Sequence, residues 1–121
     1  MSSCLRRAKE YKERRFFHTR AITIRRTSKL RGVYCPHSAP QLMIGLATKW
    51  KTQKGFCALS GIKLTRDNAE VDHIIPVGRG GQSILDNLRW LSKEANWAKR
   101  DLIDSEFFDL IKKVVVRHSL L

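Results

Sequence analysis

Asp72 and His73 stand side by side in the stretch VDHIIPVGRGG, before an apolar run and a loop rich in glycine. Asn87 closes that loop, and Asn96 and Lys99 follow three residues apart, a spacing that places both on one face of a helix. An imidazole can accept a proton from water near neutral pH, and carboxylate and amide oxygens are ligands for Mg²⁺. These groups together suit hydrolysis of a phosphodiester, which needs an activated water and a cation at the phosphate.

The residue types suggest a role for each side chain. We expect His73 to be the general base, Asp72 and Asn96 to hold Mg²⁺ or Mn²⁺, and Lys99 to face the phosphate. We expect Asn87 to brace the loop and to orient the imidazole through hydrogen bonds. Adjacent residues on a regular strand point to opposite faces, so the strand must twist, kink or end at the Asp-His pair, unless the metal lies at its edge.

The elements that would position these residues form a ββα unit over residues 70–101. AEVDHIIPV reads as a strand that Pro76 terminates, GRGGQSILDN as a loop, and NLRWLS as a second strand. Ser92 is a good N-cap for a helix through KEANWAKR. The predicted fold class is therefore α+β, with a small ββα core, flanking helices and a basic N-terminal arm.

The flanking segments give weaker patterns. Residues 4–20 could form a basic helix or a disordered arm, and residues 21–40 read as linker or short extended pieces. Ser38 and Pro40 begin a helix that Gly55 ends, and FCALSGIKLT predicts two short strands around a tight turn. Asp104 would cap a last helix with an inward apolar face of Phe107, Phe108, Ile111, Val114 and Val115.

The charge is large and uneven. The 121 residues suit one small domain, with a formal net charge of +13 and a pI of about 10.3. Residues 1–31 hold eleven Lys and Arg against two Glu, a net +9, so we divide the chain into an arm, 1–36, and a globular domain, 37–121. This charge favours an anionic partner. The basic residues expected to bind DNA are Arg6, Arg7, Arg14, Arg15, Arg79, Lys93 and Arg100.

The stretch VDHIIPVGRGGQSILDNLRWLSKEANWAKRD resembles the HNH endonuclease family, also called ββα-metal nucleases. DHIIP, GG, DNL and NxxK occur in the family's order and spacing, and the resemblance covers about residues 40–115. Asp72-His73, Asn87 and Asn96 match its motif, with the last asparagine typical of an HNN variant and NWAK similar to phage-type members. The resemblance implies a Mg²⁺-dependent endonuclease that nicks double-stranded DNA as a monomer, with a phage or mobile-element origin and a cytoplasmic location in the host cell.

The resemblance departs from the family at its zinc knuckle. FCALSGIKLT is similar to a lead-in that often carries half of a zinc site, but Ser60 stands where the second cysteine would be. Cys35, His37 and Cys57 could supply three ligands, and a fourth is not evident. Three cysteines, an odd number without close pairing, argue against a disulfide framework and fit a reducing compartment. The absence of any CxxC pair argues against a structural zinc.

Two other classes of protein fit parts of the pattern. A non-catalytic nucleic-acid-binding module could keep the ββα frame, although it would not need the Asp-His pair. A basic RNA-binding or ribosome-associated protein is suggested by charge alone. A membrane-spanning helix needs about 20 consecutive apolar residues, and no apolar run in the sequence approaches that length, so we expect no membrane partner. Monomer and homodimer both stay open.

Overall fold

The computed structural model describes residues 2–121. These residues form four α-helices and a sheet of two strands, and two short 3₁₀ turns lie in the loop between the strands. In chain order the elements are α1 (Ser3–Arg31), α2 (Ala39–Thr52), β1 (Ala69–His73), the turns Val77–Arg79 and Leu85–Asn87, β2 (Leu88–Ser92), α3 (Lys93–Lys99) and α4 (Asp104–His118).

The ββα core forms where the sequence predicts it. β1 and β2 pair antiparallel, with Ala69 opposite Ser92 and His73 opposite Leu88. The hydroxyl of Ser92 accepts a hydrogen bond from the Ala95 N–H at 3.3 Å, so the last residue of β2 also begins α3. The predicted α+β fold with a small ββα core is confirmed. β1 ends at His73, which agrees with the irregularity that the Asp-His pair requires.

An aromatic cluster covers one face of this small sheet. Phe16 and Phe17 of α1, Trp50 of α2 and Trp90 of β2 lie with their ring centroids 5.2 to 5.9 Å apart. The indole N–H of Trp90 donates to the Leu46 carbonyl at 2.9 Å, so the buried ring leaves no donor unpaired. A sheet of two strands is marginal alone, and α1 and α2 supply the apolar surface that it needs.

Helix α1 is longer than the sequence pattern predicts. It runs from the N-cap Ser2 to Gly32, whose φ of 67° lies in the left-handed region. The expectation of linker or extended pieces for residues 21–40 is wrong for residues 21–31, because Ala21, Ile24 and Ser28 recur at helical spacing and are buried. Ala21 and Ile24 of α1 belong to the same buried core as Leu42 and Leu46 of α2, so α1 packs onto the domain, and the division at residue 36 stays a prediction.

Two smaller expectations are also wrong. FCALSGIKLT makes a single bridge, Phe56 to Lys63, around a turn with Gly61 at φ 72°, and not two strands. α4 begins after Ile103 as the N-cap, so Asp104 is its first residue and not its cap. No residue of α4 is buried: Phe107 and Val115 are half-buried and Phe108 is 51% exposed, so the predicted inward apolar face is only partly covered.

Ion pairs attach α4 to the rest of the domain. Nη1 and Nη2 of Arg89 each donate a hydrogen bond of 2.7 Å to the Asp104 carboxylate, and Nη1 of Arg79 lies 2.8 Å from Glu106 Oε1. The pKa of Asp104 lies below its ordinary value because it accepts these hydrogen bonds from Arg89. Across residues 2–121, no helix combines the length and apolar character that crossing a bilayer demands.

We expect Ile24→Ala to lower the free energy of unfolding by about 2–4 kcal/mol, because Ile24 is buried between α1 and the core. Ile22→Ala on the same helix is the control; its side chain is 45% exposed, and the expected loss is below about 0.5 kcal/mol. Chemical denaturation measures both. Equal, small losses would contradict a role for α1 in the core.

Candidate active site

A small open cleft gathers the polar groups of three regions. The end of β1 supplies Asp72 and His73, α3 supplies Asn96, and Arg100 follows at the end of that helix. The last residue of α1, Arg31, also lines the cleft. The sequence does not predict Arg31 as a site residue, because its position in the chain has no spacing relation to Asp72, His73, Asn96 or Arg100.

The imidazole of His73 is half-buried and anchored at one nitrogen. Its Nε2 lies 2.9 Å from the Ser83 hydroxyl, which in turn lies 2.7 Å from the Ser28 hydroxyl of α1. Burial lowers the pKa of His73; Asp72 opposes this shift, and Arg31 and Lys99 add to it. A lowered pKa favours the neutral ring, which is the form that can accept a proton.

Lys99 is fully buried and its ammonium is enclosed by oxygen atoms. Nζ lies 3.2 Å from both carboxylate oxygens of Asp72, 3.1 Å from the His73 carbonyl and 3.2 Å from the Ile74 carbonyl. The expectation that Lys99 faces the phosphate is wrong, because the side chain has no exposed surface. Its physical role is to tie α3 to the end of β1 and to fix Asp72.

Asp72 has a second cationic partner. Arg89 Nε donates to Asp72 Oδ2 at 3.0 Å, and the same guanidinium also donates to the Asp104 carboxylate. Oδ2 thus accepts from two cations and Oδ1 from Lys99 alone. The carboxylate is only 5% exposed, yet it borders the cleft, so Oδ1 is the atom with capacity left for another ligand.

Asn87 braces the loop but does not touch the imidazole. Its amide donates to the carbonyls of Ile75 and Gln82 at 3.1 and 2.9 Å, and its Oδ1 accepts from the Ile75 N–H at 2.8 Å. The expectation that Asn87 orients the His73 ring is wrong, since Ser83 makes that contact. The loop also needs Gly81, because an added Cβ would lie 1.7 Å from the Ile75 carbonyl oxygen.

The oxygen atoms available as metal ligands in the cleft fit Mg²⁺ better than zinc. Asn96 uses its Nδ2 to donate to Glu70 at 2.6 Å, which leaves its Oδ1 for another partner. Within residues 2–121 no group of three or more His, Cys, Asp and Glu lies close enough to hold a metal ion. A site built on Asp72 and Asn96 would need water and substrate oxygens, as Mg²⁺ sites commonly do. His37, one of the three residues that the sequence offers as zinc ligands, already uses its Nε2 to accept a hydrogen bond from the Leu85 N–H at 3.0 Å.

Residues 57–100 match the family model described as HNH endonuclease. These residues belong to the HNH endonuclease family. The match contains β1, β2, α3 and most residues of the His73 cleft, while Arg31 of that cleft and the helices α1, α2 and α4 lie outside it. No curated protein matches the chain significantly. The HNH assignment indicates a nuclease-related function, and the HNN and phage-type subdivisions stay predictions.

The basic residues expected to bind DNA lie in different surroundings around the HNH domain. Arg100 lines the cleft, Lys93 is half-buried at the start of α3, and Arg79 is paired with Glu106. The four arginines of the N-terminal arm are exposed on the first half of α1: Arg6, Arg7, Arg14 and Arg15. Sequence reasoning missed four residues of the site: Ser28, Arg31, Ser83 and Arg89.

We expect Lys99→Met to lower the free energy of unfolding by about 3–5 kcal/mol, because Asp72 and two carbonyls would lose a buried cationic partner. Lys112→Met on the exposed side of α4 is the control and should change stability little. Thermal and denaturant unfolding measure both variants. A Lys99→Met protein as stable as the control would show that the buried ammonium is dispensable.

Proposed function

We propose that the protein is a metal-dependent HNH endonuclease that hydrolyses DNA phosphodiester bonds. One observation carries the proposal: an imidazole, held at Nε2 by Ser83, borders a cleft that also contains Asp72, Asn96 and two arginines. A base, hard oxygen ligands and cations are the groups that this hydrolysis requires. The family of residues 57–100 supports the same reaction.

In the proposed mechanism, His73 takes a proton from a water molecule whose oxygen attacks the phosphorus. Asp72 Oδ1 and Asn96 Oδ1 would hold Mg²⁺ or Mn²⁺, which supplies charge neutralisation at the phosphate and the leaving 3′ oxygen. Arg31 and Arg100 lie where their guanidinium groups can contact phosphate oxygens. Asn87 shapes the loop behind the imidazole, and Lys99 keeps Asp72 in place.

One cleft of this kind cuts one strand in each encounter. We therefore propose that a monomer nicks double-stranded DNA, and that a double-strand break needs two copies or two encounters. The free thiols of Cys4, Cys35 and Cys57 suit the proposed cytoplasmic location in a host cell.

A non-catalytic nucleic-acid-binding module is the second candidate. The observation in its favour is that both oxygens of Asp72 already accept hydrogen bonds from cationic side chains, Lys99 and Arg89. Two cations beside this carboxylate oppose the approach of a third. A protein of this class would bind DNA through its basic surface and leave the phosphodiester intact.

A supercoiled-plasmid assay separates the two candidates. We expect nicked circles in the presence of Mg²⁺ or Mn²⁺, no product with EDTA, and a rate at least about 100-fold lower for His73→Ala, because the general base is lost. His118→Ala, in the exposed last turn of α4, is the control and should retain the wild-type rate. DNA binding without cleavage across Mg²⁺, Mn²⁺ and Zn²⁺ would favour the binding module.

The exposed arginines of α1 should supply salt-dependent affinity for the DNA backbone. We expect a variant with four of these arginines replaced by glutamine to bind duplex DNA more weakly. Its kcat should be unchanged, because these side chains lie far along α1 from the cleft. Removal of one phosphate-binding charge reduces the slope of log K against log salt by about 0.9. Titrations at several salt concentrations measure the slope. The four positions are Arg6, Arg7, Arg14 and Arg15.

A matched control removes positive charge from another surface. Lys112, Lys113 and Arg117 of α4 are all exposed, and their change to glutamine lowers the net charge without altering α1. The α1 variant loses four charges and the α4 variant three, so an equal reduction of the slope per charge removed would contradict a specific role for α1 in binding.

A further inference from the structure

Two buried hydroxyl groups connect the His73 ring to helix α1. Ser83, which is fully buried, lies 2.9 Å from His73 Nε2, and Ser28, which is 4% exposed, lies 2.7 Å from the Ser83 hydroxyl. A buried hydroxyl without a partner is costly, so both contacts stabilise this arrangement. Within residues 2–121, Ser83 is the hydrogen-bond partner found for the imidazole.

The position of Ser83 depends on α1 in a second way. Its backbone N–H donates to the Tyr34 carbonyl at 2.9 Å, and Tyr34 lies just beyond the Gly32 that ends α1. Ser28 belongs to the same buried stripe as Ala21 and Ile24, so its hydroxyl is fixed by packing as well as by the hydrogen bond. Both the backbone and the side chain of Ser83 are therefore held by a part of the chain that lies outside the HNH family match.

The hydroxyl pair can order its protons in either of two directions. In one, Ser28 donates to Ser83, and Ser83 donates to an unprotonated Nε2, so the ring carries its proton on Nδ1. In the other, Nε2–H donates to Ser83 and Ser83 donates to Ser28. Only the second order leaves Nδ1 with a lone pair that can accept a proton from water.

We propose that Ser83 and Ser28 are positioning residues that accept the Nε2 proton of His73 and so present Nδ1 to the cleft as the base. This inference rests on the proposed function, and it makes α1 a part of the catalytic unit rather than only a DNA-binding arm. The hydrogen bond that the other nitrogen makes sets which nitrogen of an imidazole is free, and loss of such a partner typically costs about 10- to 100-fold in activity.

The test uses the full chain with Ser83→Ala and Ser28→Ala, each of which removes one oxygen. Thr27→Ala is the matched control, because Thr27 is the preceding residue of α1, is exposed, and bonds only to carbonyls of its own helix. Plasmid cleavage gives kcat and KM separately. Long-range ¹H–¹⁵N spectra of the imidazoles report which ring nitrogen of His73 is protonated, with His73→Gln to assign its signals.

We expect the wild-type protein to carry the His73 proton on Nε2. Ser83→Ala should lower kcat by about 10- to 100-fold with KM unchanged, and should shift the ring toward the Nδ1–H form. Ser28→Ala should have a smaller effect in the same direction, and Ser28→Thr, which keeps the hydroxyl, should restore the wild-type spectrum and rate. Thr27→Ala should match the wild type in all three measurements.

The proposal would be overturned by a wild-type ring protonated on Nδ1, or by a Ser83→Ala protein with an unchanged spectrum and kcat. The spectra also separate this inference from the proposed function. A wild-type protein that does not cleave DNA with any metal but holds Nε2–H through Ser83 would sink the endonuclease proposal and leave the hydroxyl pair established as the group that sets the tautomer.

Discussion

The buried ammonium of Lys99 is the constraint on which the cleft depends. A charge without access to water is tolerated only when it is paired and hydrogen-bonded, and here four oxygen atoms meet that need. Two of them are carbonyls of residues 73 and 74, at the point where β1 ends. Lys99 therefore sets the position of α3 against the strand, and with it the relation between Asp72 on one element and Asn96 on the other.

A second support of the fold is a single amide side chain at the end of α2. The Gln53 side chain accepts from the Trp90 N–H at 2.9 Å and donates to the carbonyls of Phe56 and Trp90 at 2.8 and 2.9 Å. It thereby joins the end of α2 to the lead-in segment and to β2. Together with the aromatic cluster, this amide organises the region around Cys57 by hydrogen bonds and packing.

The ββα core could be predicted from the sequence because its signals are local. The strand pattern, the glycine loop and the Ser92 cap each depend on neighbours in the chain. The partners of Asp72 and His73 could not be predicted in this way, because Arg89 and Ser83 are ordinary residues until the fold brings them together. The prediction for α4 failed for a different reason. The spacing of its apolar residues correctly predicts an amphipathic helix, but that spacing cannot show whether another element packs against the apolar side.

Helix α1 also sets a length scale. An α-helix rises about 1.5 Å per residue, so the 25 steps from Arg6 to Arg31 span about 38 Å. One turn of B-DNA measures about 34–36 Å. Because Arg31 lies in the cleft and Arg6 near the far end, the proposed function implies that a duplex aligned with α1 would contact the helix over about one turn on one side of the cleaved bond. The footprint of such a complex would be asymmetric, and its two orientations on the same site would expose different flanks.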